Sequence, residues 1–168
     1  DDPADLSIIC DNVGAGRLAV EHLIACGRTR IAHISGDPRY AAAHDRAEGV
    51  LAGLADAGLS QVGDVRYGSW SEAWGRAAAA MLLDRHPDVD AVFCGSDQVA
   101  RGVVDMVRER GRRIPDDVAV MGFDNWEILA TNARPPLTTI DMNFETLGRT
   151  AAQRLFTAID GPPRPWTT

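Results

Sequence analysis

The sequence alternates between short apolar runs rich in β-branched residues and longer segments with helical periodicity. The runs that predict strands are LSIIC (6–10), IAHIS (31–35), VRY (65–67), AVFC (91–94), VAVMGF (118–123) and LTTI (137–140). Strands this apolar must be covered on both faces, and parallel strands need crossover connections, which the intervening helices supply. We therefore predict an α/β fold built on a doubly wound parallel sheet flanked by helices.

Apolar residues with helical spacing occupy the segments between these runs. Each stripe ends close to a glycine or a proline, the usual residues at and beyond a helix C-terminus. The stripes with their stop residues are 18–26 before Gly27, 74–82 before Pro87 and 99–107 before Gly111. A further amphipathic helix is predicted over residues 143–160, and its apolar stripe consists of Phe144, Leu147, Ala151, Leu155 and Ile159.

Composition and charge narrow the class of protein. The chain has 168 residues, 45% of them hydrophobic, with a formal net charge of −7 and a pI near 5.0. A compact domain with a substantial core is expected, and a nucleic-acid-binding surface is not, because phosphate contact needs clustered Lys and Arg. No apolar stretch approaches the roughly 20 residues that span a bilayer, so no membrane interaction is expected.

The cysteines and histidines form no recognisable chemical site. Cys10, Cys26 and Cys94 lack metal-ligand spacing, and we expect reduced, buried thiols in a cytoplasmic protein. The histidines are scattered along the chain and are interpreted as surface or core residues. No P-loop, general acid–base pair or nucleophile with a partner base is recognisable, so no cofactor, metal site or catalytic residue is predicted.

Polar side chains follow the predicted strands at the points where the strands end. In open parallel sheets, ligands bind outside the carboxyl ends of the strands. Carboxylates accept hydroxyl donors, a guanidinium donates in a planar fork, and an indole packs on the apolar face of a sugar ring. The candidates are Asp11, Asn12, Arg46, Ser69, Trp70, Ser96, Asp97, Asp124, Asn125 and Asp141. We expect them to converge on a small polyhydroxylated ligand.

Several of these side chains also have a purely structural interpretation. Asp97 precedes a helical stripe and is also expected as its N-cap, while Ser69 and Glu72 have the spacing of a capping box. Trp70 fits a partly buried core position. Arg46 fits an exposed ion pair on a helix face, where such a pair stabilises little.

A short glycine motif favours a different class of protein. GAGRLA, residues 14–19, matches G-x-G-x-x-A after a strand and at the start of a helix, and Asp37 lies near the distance of a ribose-binding acid. This alternative is an NAD-binding enzyme. A phosphate turn normally begins directly at the strand end, however, whereas residues 11–13 intervene here.

Several blocks of the sequence resemble the effector-binding region of LacI/GalR-type transcriptional regulators. The resemblance spans residues 6–161, with the blocks in the family's order. The blocks are DNVGAGRLAVEHLIACGRTRIAHISGD, RAEGVLAGLADAG, GSDQVARGVVDMVRERGRRIPDDVAVMGFDN and RPPLTTIDMNFETLGRTAAQRL. The resemblance implies a fold like that of type I periplasmic sugar-binding proteins, with an effector held in a cleft between two α/β subdomains joined by three crossing strands.

The resemblance also implies how the chain is divided. Residues 1–10 correspond to a strand of the N-terminal subdomain, residues 11–141 to the C-terminal effector-binding subdomain, and residues 142–168 to a helix and tail of the N-terminal subdomain. A full member carries a DNA-binding headpiece before this region, so we expect the chain to be a truncated fragment. Its helix over 143–160 would lack its home sheet and is expected to pack against a second copy or onto the exposed subdomain surface.

The family's ligand-binding positions match several of the strand-end candidates. Arg46 in RAEG matches the arginine that contacts effector hydroxyls or carboxylates, and Asp124 in GFDN matches the aspartate of the cleft. Trp70 matches a position where relatives place an aromatic ring against the sugar. The remaining matches are Ser96, which stands where some relatives have Asn, and Asp11 with Asn12, which lie near the first crossover.

The function that the resemblance implies is non-enzymatic sensing. A small effector, expected to be a sugar, would bind a homodimer and change its affinity for DNA through a helix-turn-helix headpiece that this chain lacks. The alternative that shares the fold is a periplasmic-type sugar-binding protein. These side chains do not select among sugar, nucleobase and acid effectors, which use similar groups in similar places.

Overall fold

A computed structural model of the chain describes residues 7–160. Their contacts divide the chain into two compact units. One unit is Asn12–Asp141, and the other contains residues 7–11 and 142–160 of the described chain.

A parallel four-stranded sheet forms the centre of the larger unit. Its strands are β1 (Ile31–Ile34), β2 (Ala91–Cys94), β3 (Ala119–Asp124) and β4 (Thr138–Asp141), in the order β1-β2-β3-β4. Pairing is parallel throughout, so the carboxyl ends of all the strands lie at one edge of the sheet. The parallel sheet predicted from the apolar runs is confirmed, and its strands coincide with the predicted runs to within one residue at each end.

Helices cover both faces of this sheet. They are α1 (Asn12–Ala25), α2 (Ala41–Asp56), α3 (Glu72–Arg85), α4 (Asp97–Glu109) and the single turn α5 (Glu127–Ala130). Helices α3 and α4 pack their apolar side chains against the face of the sheet that carries Ile34, Val92 and Cys94. The opposite face carries His33, Phe93 and Phe123, because successive strand residues point to opposite sides, and α2 reaches Phe123 through Arg46. The doubly wound arrangement is therefore confirmed.

Glycines let the paired helices α1 and α2 approach until their backbones touch. A Cβ on Gly16 would lie 2.3 Å from the carbonyl oxygen of Arg46, and a Cβ on Gly49 would lie 2.0 Å from that of Val13. Residues 14–19 lie inside α1 and not in a turn between a strand and a helix. The phosphate-turn interpretation of GAGRLA is therefore wrong, because its second glycine is needed for packing between helices.

Two predicted strands are not regular strands in the structure. The VRY segment forms only an isolated bridge between Arg66 and Ile34, with hydrogen bonds such as that from the Ser35 amide to the Arg66 carbonyl at 2.8 Å. It follows the edge of β1, and within residues 7–160 it pairs with no strand on its other side. Residues 7–10 also lack strand conformation, since no neighbouring strand among the described residues pairs with them.

The helix caps correct two further sequence interpretations. Ser71, not Ser69, is the N-cap of α3, and its side chain accepts a hydrogen bond from the Trp74 amide at 3.2 Å. The N-cap of α4 is Ser96, not Asp97, and its hydroxyl accepts from the Val99 amide at 3.2 Å. Serine takes each cap because its short hydroxyl reaches the third amide of the helix.

The smaller unit contains the predicted amphipathic helix. This helix, α6 (Phe144–Asp160), exposes much of its apolar surface, with Leu155 59% and Ile159 67% exposed. No helix in the described part of the chain is long and apolar enough to cross a bilayer.

The cysteines lie in different environments. Cys94 is buried and Cys26 is exposed, so the expectation of uniformly buried thiols is wrong for Cys26.

Candidate functional site

Arg46 is buried at the carboxyl end of the sheet, although it projects from a helix. Only 5% of its surface is exposed. Its Nε donates to the side-chain oxygen of Asn12 at 2.9 Å, and its Nη1 donates to the carbonyl of Gly95 at 2.5 Å. Its guanidinium carbon lies 3.5 Å from the centroid of the Phe123 ring. The interpretation of Arg46 as an exposed helix-surface ion pair is therefore wrong, because the guanidinium is held inside the domain.

Asp124 ends β3 beside this arginine. Its backbone has φ 108°, in the region that L-residues rarely adopt, and its side chain is half-buried. Burial raises the pKa of Asp124 from 3.8 to about 6, an effect that the charge of Arg46 opposes and that of Asp97 reinforces. Asp141 lies opposite Asp124 in the register of β3 and β4. The carboxyl ends of β3 and β4 therefore each carry an aspartate, and the charge of Asp124 interacts with that of the buried Arg46.

Trp70 lies at the same edge and supplies an aromatic surface. Its ring centroid is 5.8 Å from the guanidinium carbon of Arg46 and 6.2 Å from the Tyr40 ring, which meets it edge-on at 78°. The indole packs directly on Gly36, where a Cβ would lie 2.1 Å from ring atoms. Trp70 remains half-buried, and Tyr40 is 56% exposed. A half-exposed indole beside a guanidinium suits the apolar face of a sugar.

The other predicted ligand residues have different surroundings. Asn12 is buried and orients Arg46, as described above. Ser96 is also buried, and its hydroxyl caps α4. Asp11 is exposed and belongs to the smaller unit. The structure thus brings Asn12, Arg46, Trp70 and Asp124 together, and a direct ligand contact by any of these residues stays a prediction.

Asp97 was a strand-end candidate for ligand contact and for the N-cap of α4, but sequence reasoning did not foresee its complete burial or its hydrogen bond to the loop after β3. Asp97 has no exposed surface. Its carboxylate accepts hydrogen bonds from the Trp126 amide at 2.8 Å and from the Thr139 hydroxyl at 2.6 Å. Burial raises the pKa of Asp97, and these hydrogen bonds oppose the rise. The available signal was an acidic residue directly after a predicted buried strand, but the same position suits a helix cap.

His33 lies in β1 under the site and is a core residue. Its Nδ1–H donates to the Phe93 carbonyl at 3.0 Å, and its ring stacks on the Phe93 ring with centroids 5.0 Å apart. Burial lowers the pKa of His33 from 6.5 to about 4, so the imidazole is neutral at physiological pH. Within residues 7–160, no group of His, Cys, Asp and Glu side chains could hold a metal ion.

A doubly wound parallel sheet with convergent polar groups at its carboxyl edge defines the class of α/β ligand-binding domains. Comparison with known proteins places the chain more narrowly. The chain belongs to the periplasmic binding protein-like domain family, whose model matches residues 20–168.

Curated relatives of this chain are transcriptional regulators. The HTH-type transcriptional regulator CelR of Thermobifida fusca is 41% identical over 152 residues, which cover 90% of this chain and 44% of CelR. The HTH-type transcriptional regulator MalR of Streptomyces coelicolor is 35% identical over 160 residues, covering 92% of this chain and 46% of MalR. The chain therefore spans less than half the length of these two regulators.

Solved structures agree with this placement. A CelR–cellobiose complex matches with a TM-score of 0.84 and 40% identity, covering 92% of this chain and 47% of that one. The Lac repressor dimer bound to operator and the anti-inducer ONPF matches with a TM-score of 0.84 and 32% identity, covering 90% and 45%. The resemblance to LacI-family regulators is confirmed, and the stand-alone sugar-binding protein is not favoured.

Proposed function

We propose that this chain is the effector-sensing domain of a bacterial transcriptional regulator. In the whole protein, a small effector would bind at the carboxyl edge of the sheet and modulate DNA binding by a helix-turn-helix headpiece. The observation that carries the proposal is the buried guanidinium of Arg46, fixed by Asn12 and Gly95 beside the strand-end carboxylate of Asp124. A side chain that is already fixed before the ligand arrives loses little freedom on binding.

The chemistry of this edge favours a sugar as the effector. Arg46 is a donor, Asp124 accepts hydroxyl hydrogens, and Trp70 offers an aromatic face at 5.8 Å from the guanidinium carbon. The relative solved with cellobiose supports the same ligand class. Asn12, Ser96 and Asp11 complete the proposed ligand set, and no cofactor or catalytic residue is proposed.

The proposal extends to the arrangement of the whole regulator. We assign residues 11–141 to its C-terminal subdomain and residues 1–10 and 142–168 to its N-terminal subdomain. The regulator would act as a cytoplasmic homodimer, and DNA contact would come from the headpiece and not from this acidic chain, whose net charge is −7. An effector shifts such a dimer only through different affinities for its two states.

Thermal-shift titrations of the full-length protein test the proposal. The ligands would be monosaccharides, disaccharides including cellobiose, purines and nicotinamide dinucleotides. A ligand that binds only the native state raises the melting temperature as its concentration exceeds its Kd. We expect a sugar to produce this shift, and Arg46→Lys and Asp124→Asn to reduce it strongly, because lysine lacks the planar fork and asparagine lacks the charge.

Matched variants separate loss of binding from a general change of charge. Arg39 is 85% exposed and pairs with Asp37, and Asp116 is 61% exposed, so both lie on the surface. Arg39→Lys and Asp116→Asn should leave the sugar-induced shift intact. A shift produced by a dinucleotide alone would overturn the proposed function.

A further inference from the structure

The loop that carries Asp124 has an unfavourable backbone conformation. Asp124 and Asn125 are consecutive non-glycine residues with φ of 108° and 54°. Such conformations cost free energy and persist only where the surrounding structure enforces them. The structure must therefore contain groups that hold this loop in place.

The buried carboxylate of Asp97 is one such group. It enters from the first turn of α4, and one of its oxygens accepts the hydrogen bond from the Trp126 amide at 2.8 Å. Its other oxygen lies so close to β3 that a Cβ on Gly122 would be 2.2 Å from it. A carboxylate with no exposed surface needs these donors, because an unpaired buried charge is very costly.

Thr139 links the same carboxylate to the preceding loop residue. Its hydroxyl donates to Asp97 at 2.6 Å and accepts from the Asn125 amide at 3.3 Å. The two amides that follow Asp124 are therefore held by two neighbouring side chains, one from α4 and one from β4. Together they oppose relaxation of the loop toward ordinary extended backbone.

We propose that Asp97, oriented by the Thr139 hydroxyl, is the positioning residue that fixes Asp124 in its ligand-accepting conformation. The proposal rests on the effector-binding function proposed above. Asp97 has no exposed surface and acts on an effector only through Asp124. Specificity for an effector hydroxyl would then depend on a fully buried carboxylate that does not touch the effector.

Two substitutions at Thr139 form a matched pair for the test. Thr139→Val keeps the side-chain volume but removes the hydroxyl, whereas Thr139→Ser keeps the hydroxyl. Asp97→Asn provides a second route, because it removes the charge while keeping an acceptor. Isotope-labelled protein of this chain is examined by NMR, which gives the amide–Hα coupling of Asp124 as a measure of φ and the titration midpoint of its carboxyl.

We expect Thr139→Val to change the Asp124 coupling toward that of extended backbone and to lower its titration midpoint from about 6 toward the ordinary 3.8. Thr139→Ser should keep both values of the parent, and Asp97→Asn should lower the midpoint because it removes a neighbouring negative charge. In the full-length protein, Thr139→Val should weaken cellobiose binding about 5- to 150-fold, the range of a typical coupling between sites. A loss confined to folding stability would leave the coupling and the midpoint unchanged.

The NMR result tests the positioning role and the binding result tests the proposed function, so the two failures can be distinguished. An unchanged coupling and midpoint in both Thr139→Val and Asp97→Asn would overturn the positioning role, whatever the protein binds. If the parent full-length protein binds no sugar and no purine, or binds a dinucleotide alone, the proposed function fails, and the positioning role of Asp97 for a ligand-accepting Asp124 falls with it. Loop changes with normal cellobiose affinity would also overturn the proposal.

Discussion

At the scale of single residues, burial and the charge of Arg46 have opposite effects on the ionisation of Asp124. Arg46 is fixed by hydrogen bonds to Asn12 and Gly95 and lies on the Phe123 ring. Its positive charge stabilises the ionised form of Asp124, but burial has the larger effect and raises the pKa of that carboxyl to about 6. The titration of Asp124 is therefore coupled to folding.

The first prediction concerns the pH dependence of Asp124→Asn. Between the unfolded pKa of 3.8 and the folded value of about 6, the folded state keeps a proton that the unfolded state has released. The contribution of Asp124 to stability is therefore present at low pH and is lost as pH rises through about 6. Asparagine does not titrate, so the variant lacks this pH-dependent loss. Its free energy of unfolding, measured relative to that of the parent, should therefore increase by ~1–2 kcal/mol between about pH 4 and pH 7. This range allows for the partial solvent exposure of Asp124.

Urea unfolding of both proteins at several pH values measures this difference. Comparing the two curves matters because His33 has the opposite effect. Its folded pKa of about 4 lies below its usual 6.5, so stability falls as pH decreases through that range. His33 is present in both proteins and its effect cancels. A difference that stays constant with pH would contradict the coupling of Asp124 to folding.

At the scale of secondary structure, close backbone contact between α1 and α2 fixes the position of the helix that carries Arg46. Arg46 lies on α2, and α2 is set against α1 through Gly16 and Gly49. The carbonyl of Arg46 itself would lie 2.3 Å from a Cβ at Gly16. The position of the guanidinium therefore depends on glycines that have no contact with ligand.

The second prediction compares two glycines of α2. Gly49→Ala would place its Cβ 2.0 Å from a backbone oxygen, so the helices must separate, and we expect a loss of about 2–3 kcal/mol or more. Gly53→Ala is the matched control, because its nearest contact would be 3.3 Å from the Val20 side chain. Chemical unfolding monitored by circular dichroism should show the larger loss for Gly49→Ala. Equal losses would mean that the close approach is not what requires glycine at position 49.

At the scale of the whole molecule, the chain exposes an apolar helix surface. Phe144, Leu155, Phe156 and Ile159 of α6 are between 50% and 67% exposed. A continuous apolar surface in water favours association. The curated relatives are more than twice as long as the matched region, since this chain covers 44–46% of CelR and MalR. Chain that the relatives have beyond this region would be available to cover such a helix.

The third prediction is that this chain self-associates through α6. Sedimentation velocity should show a mass that increases with protein concentration, and Leu155→Glu should lower it by placing a charge in the apolar stripe. Gln153→Glu adds the same charge to an already polar exposed position and should leave association unchanged. A parent that remains monomeric at every concentration would exclude α6 as an interface between copies.

Local patterns predicted most of the elements and part of the site. The apolar runs at 91–94 and 118–123 correspond to β2 and β3, because a short run that is apolar at nearly every position indicates a strand buried on both faces. Residues directly after those runs lie at the carboxyl edge, because parallel strands all end there. The VRY segment shows the limit of this reasoning. Its composition suits a strand, but a strand is stable only when its backbone pairs with neighbouring strands. Among the described residues, Arg66 forms a single bridge, to Ile34 of β1.

Local patterns in the sequence predict the doubly wound parallel sheet and the polar groups that follow its strands. What those polar groups contact depends on how the folded elements pack against one another. Arg46 and Asn12 are 34 residues apart, and Thr139 and Asp97 are 42 apart, so no local pattern connects them. Periodicity reports whether a side chain is buried, whereas hydrogen-bond partners are set by how distant elements pack. Asp97 therefore looked like a helix cap in the sequence, and the fold made it the support of the strand-end loop.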